Sequence, residues 1–579
     1  MSEPMMNADV EGSNPKLQQV RYVNVLPSGK IGDYTQNNRV DFHVDPVTNP
    51  YFDGAQSYLN IRVRNTSTFE QGNSGSSADA VPPMCFPAHV GANALINRCV
   101  ERSNDGVVIE DIEAYNQLTG VAQSYSHDSD VFPTLSRISG VAGRTCEPMN
   151  QTVDNLGVNY FLPNGALNAS SNTITGGGEG VSATFCVPVQ TGLMSAFGFQ
   201  KDSFGNLSKQ HHVVPNLDIG GVHLQFFLEK NNVALQTMYS KFYKETTVNG
   251  TSVVEEYGKY PLEDHASVKT GTQILINTAV CDTTKVVNDV PYDPSMCVFR
   301  VGQLITDGTD TRKITSVKTN QGPSANQVEI VVDVAFSAGD GAINIKLANI
   351  TRSYVIDKIE LKLLLTIPDD QTLRMIRAQM ARGISFTSMQ LYKQSTASQL
   401  KNAVIDIPEA LTRAQAILAV PCQQNDLELV DIFNSYIYTR PDALLPAGGN
   451  TNNITYQWQI ENVLIPNLAV ETNSKTNNQN DNSIFFNQQV MALRHLIEVK
   501  ALADAPKVRK SEDVDLELPF FVPVSLSPRG VSYDLVNSAP QLRITNSASG
   551  ADITSKLYHI HVVHTRILTA SDGGVEVSF

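Results

Sequence analysis

The sequence predicts an all-β protein of two β-sandwiches in tandem, with a few short helices and a small β insertion. Three observations carry this. Residues 354–366 read YVIDKIELKLLLT, with Ile359, Leu361, Leu363 and Leu365 on one face and Lys358, Glu360 and Lys362 on the other. A period of two over this length marks a strand with one face in a core. Residues 557–569, LYHIHVVHTRILT, form a second strand of the same character. Each closes a β-rich block too large for one small sandwich. Between the blocks, PDDQTLRMIRAQMARG over 368–383 predicts a linking helix. Asp369 and Asp370 favour its N-terminus, Leu373, Ile376 and Met380 share a face, and Gly383 ends it. The expected division is an arm over 1–19, a first sandwich over 20–368, the helix over 369–383 and a second sandwich over 384–579.

The first block opens with strands over 39–44 and 58–63, separated by the turn-rich DPVTNPYFDG. Strands over 94–102 and 107–109 are joined by Ser103-Asn104-Asp105-Gly106, where Asp-Gly supplies the positive φ of a tight hairpin. A short helix is expected next, with Ile112 and Tyr115 on one face, acidic residues in its first turn and Gly120 as C-cap. Residues 121–180 read as a long loop-rich excursion containing GGGEG, and loops of that length are usually functional. Further strands are expected over 181–189, over 222–229 after the turn PNLDIGG, and over 273–280.

Residues 281–347 read as an inserted β module with its own closely spaced strands, near 297–304, 313–318, 328–335 and 343–347. Its turns are DGTD, NQGPSAN and SAGDG. An insertion at a sandwich end is cheap, because closure entropy grows by only about 0.6 kcal/mol per doubling of loop length. In the second block, strands are expected over 384–392, 411–420, 455–460, 520–525 and 541–545 before the closing one. One helix is expected over 486–503, with Phe486, Val490, Leu493 and Ile497 on its apolar stripe.

Bulk properties exclude several classes. The chain has 579 residues and a hydrophobic fraction of 41%, ordinary for two or three globular domains. No apolar run approaches the ~18 residues of a membrane span. The opening MSEPMMNADVEGSNPK has no basic n-region and no apolar h-region, so no secretory signal is expected and assembly is placed inside a cell. A net charge of −15 argues against coating nucleic acid, which needs Lys and Arg to displace counterions. The densest basic run, RKITSVK at Arg312, reads as a strand face. Seven cysteines, an odd number with no CxxC spacing, argue against a zinc site or a disulfide framework and for buried free thiols. Sequons at Asn65, Asn249 and Asn349 read as a by-product of an Asn- and Thr-rich composition.

A search for chemistry finds little. His559 and His561, two apart on a strand, share a face, a geometry used for zinc or iron, but no spacing marks a third ligand and His564 alternates away. They read as structural, as do the adjacent His211 and His212. Glu110-Asp111-Glu113 and Asp369-Asp370 have a simple explanation at helix N-termini, and Glu255-Glu256 has no facing partner across a cleft. Gly176-Gly177-Gly178-Glu179-Gly180 lacks the strand-to-helix context and the following Lys-Ser/Thr of a phosphate loop. There is no GxSxG, HExxH or EF-hand loop. The expectation is a non-enzyme with no catalytic, cofactor or metal residues.

Several stretches in order resemble the double jelly-roll major capsid proteins of the adenovirus and tailless-phage lineage, most of all those of Polinton-like viruses and virophages. They are YFDGAQSYLNIRV from Tyr51, ALINRCVERSNDGVVIEDIEAYNQL from Ala94 and VPNLDIGGVHLQFFL from Val214 in the first half. In the second they are AQAILAVP from Ala414, YQWQIENVLIP from Tyr456 and the tail YHIHVVHTRILTASDGGVEV. The resemblance implies two eight-stranded jelly rolls side by side and a homotrimer of pseudo-hexagonal outline tiling an icosahedral shell. It also implies a place in the virion, with neighbouring capsomers and minor capsid or penton proteins as partners. It implies no direct nucleic-acid contact and leaves contact with an internal membrane open. The competing readings are a minor virion spike or receptor-binding β-sandwich, and a carbohydrate-active β-sandwich enzyme. Matched sandwiches and a linking helix weigh against the spike, and an enzyme needs a convergent polar cleft in one sandwich.

Overall fold

The computed structural model describes residues 17–69, 84–86, 90–126, 135, 138–140, 182–194, 199–201, 207–209, 213–237, 243–248, 251–256, 265–276, 286–287, 290–291, 304–321, 327–348, 350–395, 402–407, 411–422, 454–471, 483–497, 499, 521–527, 532–536, 538–546, 557–571 and 574–578. In the first half the strands are β1 (Leu17–Val25), β2 (Arg39–Val44), β3 (Phe52–Asn65), β4 (Ile96–Ser103), β5 (Val108–Glu113), β6 (Ser182–Pro188), β7 (Val213–Val214) and β8 (Val222–Leu228). Then come the six strands β9 (His265–Thr270), β10 (Gln273–Ile276), β11 (Leu304–Thr306), β12 (Thr311–Gln321), β13 (Gln327–Val332) and β14 (Gly341–Leu347), and the long β15 (Tyr354–Pro368). Helix α1 (Tyr115–Ser126) follows β5.

One sheet runs β1-β15-β3, with β6 and β7 both on β3, and the other runs β2-β8-β4-β5. The long β15 is therefore central, antiparallel to β1 on one side and to β3 on the other. Alternation along β3 buries Leu59, Ile61 and Val63, and these meet Phe42, Leu224 and Phe226 from the facing sheet.

The second half repeats this order. Helix α2 (Asp370–Arg382) leads into β16 (Ile384–Ser395), β17 (Asn402–Asp406), β18 (Ala414–Cys422), β19 (Ile454–Ile460) and β20 (Val463–Glu471). Helix α3 (Ser483–Leu493) precedes β21 (Val522–Ser525), β22 (Gln541–Asn546), β23 (Leu557–Ser571) and β24 (Gly574–Ser578). The sheets are β16-β23-β18-β21, with β24 on β23, and β17-β22-β19-β20. Counted from its own first strand, and leaving aside the two-residue β7 and the inserted β9–β14, each half orders one sheet first-eighth-third-sixth and the other second-seventh-fourth-fifth. That is the double Greek-key winding of a jelly roll, and it occurs here twice. Trp458 lies at the centre of the second roll's own core, its Nε1–H donating to the Pro523 carbonyl at 2.9 Å.

Several sequence expectations change. The first strand opens at Leu17, inside the stretch assigned to an arm. The helix expected around Ile112 starts at Tyr115, and Glu110, Asp111 and Glu113 lie in strand β5 instead of a helical first turn. Gly120, expected as a C-cap, sits within α1. The backbone reason is that VIEDIE pairs with β4 through the Gly106 turn, where φ is +87°. In the second half, α3 runs 483–493 where 486–503 was expected, and ends in a turn that buries Leu496 and Ile497. The linking helix lies at 370–382, capped by Asp369 Oδ1 accepting the Thr372 N–H at 2.8 Å and ended at Gly383, φ +98°.

The inserted module is a closed barrel, β9-β10-β13-β12-β11-β14. It begins at His265 and not near Cys281. The strand expected over 273–280 belongs to it as β10, which pairs with β9 and β13. Arg312, from the basic run, is buried in β12 and paired with Asp310 at 2.9 Å. The stretch 297–303, His211, His212, the GGGEG loop, Asn249 and Asn349 lie outside the described residues, as do the side chains of Glu255 and Glu256. Asn65 is buried. Of the cysteines, Cys99 is a buried free thiol and Cys186 a half-buried one.

Candidate functional site

Among the described residues, the most concentrated polar chemistry lies where the two rolls meet. Sheet β16-β23-β18-β21 is buried on both faces. Ile417, Ala419, Ile560 and Val562 face the second roll's own core. Ala416, Leu418, Val420, Phe386, Met389 and Val563 belong to a cluster continuous with the first roll. Helix α1 fills this joint, with Tyr115, Leu118, Val121 and Tyr125 all buried and the Tyr125 ring edge-on to Phe521 at 5.7 Å. The joint thus removes a large apolar face from water, the dominant favourable term in holding two units together.

Polar groups are set into that face. Glu101 on β4 and Glu110 on β5 are directly opposed partners. Both are fully buried, at 0% exposure. Glu110 Oε1 accepts the Ser388 hydroxyl of β16 at 2.7 Å. Its Oε2 accepts the backbone N–H groups of Gly192 at 2.9 Å and Leu193 at 3.3 Å. Glu101 Oε1 accepts the Thr191 hydroxyl at 2.7 Å. The turn 190–194 is therefore wedged between the carboxyl pair and β16. Gly192 approaches so closely that a Cβ there would lie 2.0 Å from the Thr387 carbonyl oxygen.

From β23, Arg566 Nη1 donates to the Ile109 carbonyl at 2.7 Å and Nε to His564 Nε2 at 3.1 Å. His559 Nδ1 and His561 Nε2 converge on the Gln117 amide oxygen of α1, at 2.7 and 3.4 Å. An amide oxygen only accepts, so the proton sits on Nδ1 of His559 and on Nε2 of His561. Burial, then Lys393, pushes His559 down to about 4. Burial, then His559, pushes His561 down to about 3, and burial, then Arg566, pushes His564 down to about 3. All three imidazoles are neutral at pH 7. Burial, then the Glu110 charge, pushes Glu101 well up. Burial also raises Glu110, against the Ser388 hydrogen bond, Arg566 and the two N–H groups.

The sequence reading brought His559 and His561 together correctly but missed Gln117, Glu101 and Arg566. It set Glu110 aside as a helix-terminal acid. The available signal was the hairpin turn at Gly106, which places Glu101 opposite Glu110 once β5 is read as a strand. Among the described residues no group of three His, Cys, Asp or Glu converges as metal ligands. Asp369 is a helix cap. The joint is built to hold two rolls in fixed register.

No protein-family profile matches the sequence, and no curated protein does. Among solved structures, the Faustovirus major capsid protein is similar at 8% identity and TM-score 0.44, over 97% of this chain and 92% of that one. A chain of the Sputnik virophage is similar at 12% identity and TM-score 0.40, over 99% and 92%. The mavirus major capsid protein is similar at 9% identity and TM-score 0.33, over 96% and 90%. The assignment of the fold as two jelly rolls rests on the strand order and register described above.

Proposed function

We propose that this chain is the main building block of an icosahedral virus shell. In this reading it is a major capsid protein that assembles as a homotrimer of pseudo-hexagonal outline. The observation that supports it best is the repetition of one strand order in two rolls fixed by a buried joint. A rigid pair of like wedges, repeated three times about an axis, presents six similar rolls to its neighbours. Homo-oligomers close by point-group symmetry, and an obligate interface buries on the order of 2,000–5,000 Å². The acidic chain fits a shell whose genome contacts belong to other components, and the reading places the protein in the virion with penton or minor capsid partners. The barrel of β9–β14, inserted between the seventh and eighth strands of the first roll, is assigned to the outer surface as a projecting tower. The joint's polar groups are structural in this reading, and the chain is not an enzyme. Sedimentation of the purified protein together with negative-stain imaging tests it. Trimers of hexagonal outline are expected, whereas a folded, stable monomer at micromolar concentration refutes the proposal.

A further inference from the structure

We propose that Glu101 is held as a neutral carboxylic acid in the joint, and that its ionisation at alkaline pH loosens the contact between the two rolls. The inference is independent of the shell-building reading. It starts from an asymmetry between two opposed carboxyl groups. Glu110 receives three donors, from Ser388, Gly192 and Leu193. Glu101 receives one, from Thr191, and its Oε2 is buried with no hydrogen-bond partner among the described residues. Like charges directly opposite on neighbouring strands repel, and a buried carboxylate oxygen without a donor loses its full hydration. With one negative charge on the pair, carried by Glu110, Oε2 of Glu101 is an unpaired neutral hydroxyl, which costs far less than the unpaired buried anion that a second charge would place there.

The surroundings support the same protonation. Around the pair are Cys99 on β4, Tyr115 on α1 and Arg566 on β23, with His564 held by that guanidinium and Asp111 next to Glu110 along β5. From β8 the residue opposite Glu101 is Leu224, and from β16 the contact is the Ser388 hydroxyl. Arg566 is the one cation in this set. Its attraction favours ionisation of both acids, but its guanidinium also binds the Ile109 carbonyl and His564. Asp111 is drawn outward by Arg98, at 2.5 Å. Burial, then the Glu110 charge, outweighs the Thr191 hydrogen bond and the Arg566 charge and raises Glu101. The position is what makes the proton consequential. The same turn that donates to Glu101 is wedged against β16 through Gly192, so a second charge acts on the contact between the rolls.

Infrared spectroscopy of the full chain is the first test. A protonated-carboxyl C=O band is expected at pH 7, reduced in Glu101→Gln and lost on raising the pH. Thr191→Val, which removes the hydroxyl donated to Glu101, is expected to move the midpoint of that loss up by ~1 pH unit. The second test is labelling of the buried Cys99 thiol, two residues from Glu101 on the same face, read by peptide mass spectrometry. The wild-type to Glu101→Gln rate ratio cancels the thiol's own pH dependence. It is expected to rise by about tenfold or more as the pH goes from 6 to 9, an opening favoured by about 1.4 kcal/mol. Absence of a Glu101-dependent band, an unmoved Thr191→Val midpoint, or a flat labelling ratio would each overturn the proposal.

Discussion

Replacing Gly192 by alanine should pry the joint open from within. An added Cβ would lie 2.0 Å from the Thr387 oxygen, 2.7 Å from Phe386 Cδ2 and 3.0 Å from the Thr387 carbonyl carbon. Two of these three atoms are backbone of β16, which pairs with β23 from Ile384 to Ser395 and has no room to yield locally. Ordinary contact begins near 3.4 Å, so the turn or the strand must move by more than an ångström. Overpacking of this kind costs roughly 1–3 kcal/mol. Movement of the turn also stretches the bonds from Gly192 and Leu193 to Glu110, and a hydrogen bond to a charged group contributes about 1.5–3 kcal/mol. The expected loss is therefore about 3–6 kcal/mol, against ~1 kcal/mol for a typical substitution. Gly192 does not occupy the left-handed region, so backbone strain adds nothing. Urea unfolding followed by far-UV circular dichroism and by the fluorescence of Trp458, the one tryptophan in the sequence, measures it. Gly106→Ala serves as control: its φ of +87° carries strain but nothing lies within 4 Å. A Gly192→Ala loss no larger than that of the control would show that the rolls are not locked through this turn.

The three joint imidazoles make the protein acid-sensitive. His559, His561 and His564 have folded values of about 4, 3 and 3, below the ~6.5 of an unfolded histidine, so the unfolded chain binds their protons first as pH falls. The imidazoles' contribution to stability is full above ~6.5 and falls toward pH 4 by up to about 1.4 kcal/mol per pH unit for each of them; an unchanged urea midpoint between pH 7 and 5 would contradict this. Replacing residues 265–347 by a short Gly/Ser linker should leave both rolls folded, whereas cutting at 282 strands β10 away from β13 and should yield less soluble protein; equal yields would show the barrel boundary to be misplaced. Trp458→Phe removes the bond to Pro523 and part of a buried ring, and should cost the second roll about 2–4 kcal/mol by calorimetry; a loss below ~1 kcal/mol would mean the second core is loosely packed.

The strands were legible because their burial follows a period of two. The stretch 39–44 emerges unchanged as β2, and 354–366 falls within β15. Sheet membership was not legible. QILI in β10 carries the same alternation as a roll strand, and only its partners place it in the barrel. The joint was hidden for a different reason. Gln117 meets His559 across 442 positions of sequence, and Ser388 meets Glu110 across 278. No local pattern encodes such a pairing. The acid-rich VIEDIE also fits two rules at once, a helix start by charge and a strand by alternation, and pairing with β4 decides for the strand.

The position of the barrel bears on how the protein is made. The eighth strand of the first roll, β15, is the middle of its sheet, yet it follows the whole barrel in the chain. A nascent chain that has emerged as far as β8 holds β1 and β3 with no strand between them. At about 5–20 residues per second, synthesis of the barrel prolongs that condition by roughly 4–16 s. The barrel has all six of its strands once β14 has emerged and is free to fold during the wait, while the half-built roll exposes unpaired strand edges. Chaperone demand during translation should therefore peak before residue 368 emerges and fall once β15 closes the sheet.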